Sequence, residues 1–109
     1  MKLYLIRHAE SENNAKPIYQ RIEDPPITAV GRLQAERLAG WVETLKIDTL
    51  ITSPVLRALQ TTRRITDATG QHVNVWADVF EEGGVITNGT IPAGRERAYN
   101  VLHVHIIMF

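Results

Sequence analysis

Apolar residues fall along this chain in short blocks whose period changes from one block to the next. Leu3-Tyr4-Leu5-Ile6 is an uninterrupted apolar run that stops at Arg7 and His8. A strand buried on both faces of a parallel sheet requires such a run. From Asn13 to Pro26 the chain is polar and carries Pro17, Pro25 and Pro26, so a loop is expected over the strand's carboxyl end. Thr28 is placed to cap a helix over 29–45, where Ala35, Leu38, Ala39, Val42 and Leu45 recur at the spacing of one buried face. Arg32, Glu36, Arg37 and Glu43 fall on its other faces and read as solvated. Trp41 reads as core.

A second strand is expected over 48–52, around Leu50 and Ile51, followed by a helix start in which Ser53 is the N-cap and Pro54 the first helical residue. That helix should end near Ala68, with Val55, Leu59, Thr62 and Ile65 on one side and Gly70 as terminator. A third strand follows over 73–76. The closing run from Val101 to Phe109 is apolar, too short to span a membrane, and reads as a strand cut off at its end. The alternation of strand and helix argues for an α/β fold, a mainly parallel sheet flanked by helices.

Bulk properties narrow the chemistry. At 109 residues the chain is one domain or part of one. Twelve basic and twelve acidic residues give zero net charge, so no global field draws in nucleic acid or an anionic membrane, and any anion site must be local. The lack of cysteine removes disulfides and thiolate metal sites and fits a reducing, cytoplasmic setting. The start of the chain shows no apolar stretch long enough for a signal peptide.

In open parallel sheets ligands bind beyond the carboxyl ends of the strands. Arg7-His8 follows the first strand, Ser53 to Arg57 the second and Glu81-Glu82 the third, so all three are expected at one rim. Helical side chains lean toward the helix N-terminus, which aims Arg57 at that rim beside the helix's own free N–H groups. Arginine offers a planar fork to phosphate or carboxylate, and histidine can be a nucleophile or an acid/base. Read singly, each group has a plain alternative: a polar strand ending, a surface arginine, a solvated acidic turn.

The combination is more specific. Leu5-Ile6-Arg7-His8-Ala9-Glu10-Ser11 with Asn14 resembles the signature of the histidine phosphatase superfamily, which includes phosphoglycerate mutases and acid phosphatases. Ser53-Pro54 and Leu56-Arg57-Ala58 with Thr61 resemble its second motif, residues 28–35 its first helix, and residues 79–84 the segment bearing its acidic residue. The resemblance implies a phosphoglycerate mutase-like fold in which His8 accepts a phosphoryl group, Arg7, Asn14 and Arg57 bind it, and Glu81 is the general acid, with Glu82 as the fallback. The acid would need its pKa raised toward neutrality. It further implies a small phosphorylated substrate and no metal or other cofactor. Ala9 stands where many members have glycine.

The family also uses a second histidine, followed by glycine, beyond a later strand. His103 and His105 are followed by Val104 and Ile106 and do not fit. They read as core or edge-strand histidines, and His72, before the third strand, as structural. Residues 1–109 are therefore expected to form a single, C-terminally shortened domain.

His8-Ala9-Glu10 has the H-x-E form of zinc deaminases, but those need cysteine ligands, and no H-E-x-x-H occurs. A nucleotide-binding module is opposed by the lack of either glycine-rich phosphate loop. A noncatalytic domain that keeps only an anion pocket stays open. Within the family, phosphatase is preferred to mutase, because the extra segments that frame a mutase substrate have no room in this length.

Overall fold

The computed structural model describes residues 2–79 and 104–109. Within them lie β1 (Lys2–Ile6), α1 (Ala29–Leu45), β2 (Thr49–Thr52), α2 (Leu56–Thr69), β3 (Val73–Val75) and β4 (Val104–Met108), with a short 3₁₀ turn at Ile18–Gln20. The four strands form one sheet in the order β1-β4-β2-β3, and every pairing is parallel. The α/β architecture and the extents of α1 and β2 agree with the sequence pattern to within a residue.

Strand alternation divides the sheet's side chains between its two faces. Leu50 of β2 and Ile106 and Met108 of β4 join Ala39 and Val42 of α1 and Ala58 and Ile65 of α2 in the main core. Ile51 and Ile107 lie on the opposite face with Val79, flanked by Trp76 and Phe109. A smaller cluster of Ala9, Ile27 and Ala35 fastens the chain after β1 to α1.

The helix ends follow from local chemistry. Thr28 Oγ1 accepts the N–H of Gly31 at 3.0 Å, the N-cap bond that the sequence suggests for α1. Gly70 closes α2 in the left-handed region (φ 71°), its N–H donating to the Thr66 carbonyl.

Three expectations are corrected. β1 is not buried on both faces: Tyr4 and Ile6 turn to the core, while Leu3 and Leu5 are 44% and 48% exposed. β1 stands at the outer position of the described sheet, and its second face is turned away from both helices. Trp41 is 45% exposed, packed edge-on against Tyr4 at 5.4 Å between ring centroids. Finally, α2 starts at Leu56 with Val55 at the N-cap, not at Ser53-Pro54. The N–H of Ser53 donates to the Met108 carbonyl at 2.9 Å, so residue 53 still belongs to the sheet's hydrogen-bond network, and the helical bonds begin only at the Val55 carbonyl, which accepts from Ala58 and Leu59.

Two glycines of α1 provide a stability test. A Cβ at Gly31 would overlap the carbonyl oxygen of Glu10, where the chain leaving β1 crosses the helix, whereas one at Gly40 would meet nothing. Gly31→Ala is expected to destabilise by about 1–3 kcal/mol through overpacking. Gly40→Ala should stabilise by about 0.5–1 kcal/mol through helix propensity. Urea denaturation of the two variants checks both signs.

Candidate active site

The carboxyl end of β1 delivers Arg7 and His8 to the rim, and two backbone bonds fix their height. Phe109 N–H donates to the Ile6 carbonyl at 3.0 Å, and His8 N–H donates to the Phe109 carbonyl at 2.6 Å. The following residue is tied to α2: Ala9 N–H donates to Thr61 Oγ1 at 3.0 Å, and the same hydroxyl donates to the Arg57 carbonyl at 2.8 Å. Thr61 is fully buried, so the bond is shielded from competing water. It holds the turn after β1 against the first turn of the helix that carries Arg57.

His8 is only 6% exposed. Its Nδ1 lies 2.6 Å from the Ala9 carbonyl oxygen, which can only accept, and its Nε2 lies 3.0 Å from Nε of Arg57, which can only donate. Both contacts select one arrangement, with the proton on Nδ1 and the lone pair of Nε2 turned toward the arginine. The sequence placed Arg57 a turn inside α2, whereas it is the second residue of the helix, closer to the rim.

The cap that Ser53 was expected to supply comes from elsewhere. Asp24, in the loop before α1, accepts the N–H of Leu56 at 2.8 Å and so satisfies α2's N-terminus from a distance in sequence. Asp24 adopts a positive φ of 47°, which its short polar side chain tolerates better than most. Local sequence reading has no signal for a cap of this kind.

Asn14 lies against the same space. Its Oδ1 accepts from both the N–H and the hydroxyl of Ser11 at 2.9 Å, which leaves the amide NH2 as the end available to donate. Asn13 clamps the loop by pairing with both backbone groups of Ile22, at 2.9 and 2.6 Å. The result is an open cleft of about 430 Å³ whose wall includes Arg7, Asn14, Arg21, Asp24 and Arg57. Arg7 and Asn14 also face a neighbouring hollow lined by His8.

Four of the five residues singled out for the site, His8, Arg7, Asn14 and Arg57, are therefore assembled at one rim. Glu81 and its alternative Glu82 lie outside the described residues, as does His103. His105 is fully buried within β4, opposite Leu3 and Thr49, several residues below the rim. His72 is exposed just before β3, at the opposite end of the sheet. Arg21, Asp24 and the Asn13 clamp were not foreseen, since the proline-rich loop carries no periodic signal. Among the described residues no helix is long and apolar enough to cross a membrane.

The rim of the parallel α/β sheet thus brings His8 beside a cleft whose wall carries Arg7, Arg21 and Arg57. The chain belongs to the histidine phosphatase superfamily, branch 1, whose family model matches residues 3–103. It is 40% identical over 74 residues to a putative phosphoserine phosphatase 2 of Hydrogenobacter thermophilus, covering 68% of this chain and 36% of that protein. It is 41% identical over 70 residues to a probable phosphoglycerate mutase GpmB of an Enterobacter species, covering 64% and 33%. Among solved structures it resembles a putative α-ribazole-5'-P phosphatase from Escherichia coli, with a TM-score of 0.65 and 29% identity over 72% of this chain and 39% of that one. The chain thus spans about a third of the length of the curated relatives it matches.

The Ala9–Thr61 bond is open to test. Thr61→Val keeps the shape but leaves a buried N–H without an acceptor, and it should cost about 1–3 kcal/mol in urea denaturation. Thr61→Ser should retain most of the stability. Thr66→Val, at a hydroxyl that only bonds back to the Thr62 carbonyl, should change it little.

Proposed function

We propose that this chain carries the phosphoryl-accepting site of a phosphomonoester phosphatase that works through a phosphohistidine on His8. One observation above all supports the reading: the His8 imidazole is held by the Ala9 carbonyl with Nε2 directed at Arg57, beside the cleft that Arg7 shares. A nucleophilic imidazole needs a lone pair on the attacking nitrogen, and a proton fixed on Nδ1 leaves it on Nε2.

The proposed reaction has two displacements. The Nε2 lone pair attacks phosphorus and the ester P–O bond breaks. The departing alkoxide takes a proton from an acid, a role proposed for Glu81. As the phosphoryl group arrives, the Arg57 guanidinium exchanges its bond to Nε2 for one to a phosphoryl oxygen. Arg7, Arg57 and the Asn14 amide then face the equatorial oxygens, whose charge must be held in the transition state. In the second displacement water attacks phosphorus and gives a proton to the carboxylate that protonated the alkoxide, restoring the acid, while the N–P bond breaks, its electron pair returns to Nε2 and phosphate leaves. A mutase would pass the group to a second hydroxyl instead. The exposed flanks of the cleft, Arg7 and Asn14, keep it accessible to water, which supports hydrolysis.

The test is to incubate the protein with ³²P-labelled phosphomonoesters and look for an acid-labile, alkali-stable label on the chain. Label and phosphate release should both vanish in His8→Ala. Arg57→Ala should slow turnover by about 10²–10³-fold, the usual effect of one lost transition-state donor. Arg57→Lys should not restore it, because the planar fork is lost. A chain that binds phosphate at this cleft but never takes up label would be a noncatalytic anion-binding domain.

A further inference from the structure

Arg21 has no part in the phosphoryl chemistry above, yet it forms part of the same cleft wall as Arg7 and Arg57. Resting on the phosphoryl-site reading, we propose that Arg21 determines specificity: it reads a second anionic group on the alcohol part of the substrate, so that doubly anionic phosphomonoesters are favoured over those with a neutral alcohol.

The first argument is a charge count. A phosphomonoester carries about −1.5 to −2 at neutral pH, and Arg7 and Arg57 together match it. Arg21 is a third cation in the same space; among the described residues it has no carboxylate at ion-pair distance, and its side chain makes a single long contact there, from Nε to the Lys16 carbonyl at 3.4 Å. Its terminal nitrogens, which form the fork that grips a carboxylate or phosphate, are thus not engaged by any of the described residues. The Asp24 carboxylate on the same wall lowers the cleft's net charge, but it is committed to the Leu56 N–H at the N-terminus of α2 and makes no ion pair with Arg21, whose fork stays open to a ligand.

The second argument is positional. A solvated surface arginine on a slack loop would lose much side-chain and backbone freedom on binding. Arg21 instead sits on backbone that is already ordered. Its own N–H donates to the Ile18 carbonyl at 3.2 Å, closing the 3₁₀ turn, and the next residue, Ile22, is clamped at both its N–H and its carbonyl by Asn13. Asn13 adjoins Asn14, so the clamp ties Arg21 to the segment that presents the Asn14 amide.

Calorimetry on the whole chain tests this with three probes: inorganic phosphate, glycerol 3-phosphate and 3-phosphoglycerate. The last two differ chiefly in the carboxylate. The protein should bind 3-phosphoglycerate about tenfold more tightly than glycerol 3-phosphate, the size of one charge-assisted hydrogen bond. Arg21→Met should erase that ratio, Arg21→Lys should keep part of it, and Arg64→Met, on α2 outside this cleft, should keep all of it. Equal affinities in the unaltered protein would overturn the proposal. So would a ratio that survives Arg21→Met, or an Arg21→Met variant that loses phosphate affinity in the same proportion. Failure to bind inorganic phosphate would remove the phosphoryl-site reading as well, whereas normal phosphate binding without a carboxylate preference would remove this proposal alone.

Discussion

The site depends on β4 lying between β1 and β2. The two rim segments that matter follow different strands, and each is hydrogen-bonded at the end of β4: Ser53 N–H to the carbonyl of Met108, its last residue, and His8 N–H to the carbonyl of Phe109, the residue after it. β1 and β2 do not pair with each other. Neighbouring strands lie about 4.8 Å apart, so the interposed strand sets the spacing across which Arg57 reaches His8. Its own burial keeps that spacing rigid, since His105, Ile106 and Met108 are fully buried. Chemistry at the rim is thus referenced to the strand that lies last in the chain.

Above that scaffold a small set of polar bonds converts position into orientation. Thr61 joins Ala9 to the Arg57 carbonyl, the Ala9 carbonyl orients the His8 ring, and Arg57 meets the ring's other nitrogen. These contacts form one connected chain, buried at Ala9, Thr61 and the His8 ring and half-buried at Arg57, and at its buried end a missing partner is more costly than it would be in water. The histidine's tautomer, the arginine's reach and the packing of α2 are consequently not independent properties.

Much of this was legible in the sequence, for identifiable reasons. α1 shows a clean 3.6-residue period and a threonine cap, and both appear where local rules place them. Arg7, His8 and Arg57 were legible because strand ends and helix starts are local features, and the topology of a parallel sheet brings them to one side. The start of α2 was misjudged because its cap, Asp24, arrives through tertiary structure. Trp41 and the Leu3/Leu5 face of β1 were misjudged because an apolar residue's burial depends on which neighbours the topology supplies. The apolar run at the chain's end reads as a strand, but nothing in its pattern reveals that it enters the middle of the sheet.

The loop between β1 and α1 looks least informative in the sequence, and it holds the greatest variety of roles. Asn13 clamps it, Asn14 presents a donor to the cleft, Arg21 adds a cation to the cleft wall, and Asp24 caps a helix it does not belong to. These roles separate physically. His8 and Arg57 stand at the ends of regular elements, whose positions the sheet and the core dictate, so they cannot shift without disturbing the fold. Arg21 stands on a short turn braced by the Asn13–Ile22 bonds, and its side chain is not part of the core. Replacing it would change the charge of the cleft while leaving those braces in place. On the proposed reading, the fold keeps one phosphoryl-binding arrangement while a single loop residue varies the choice of substrate.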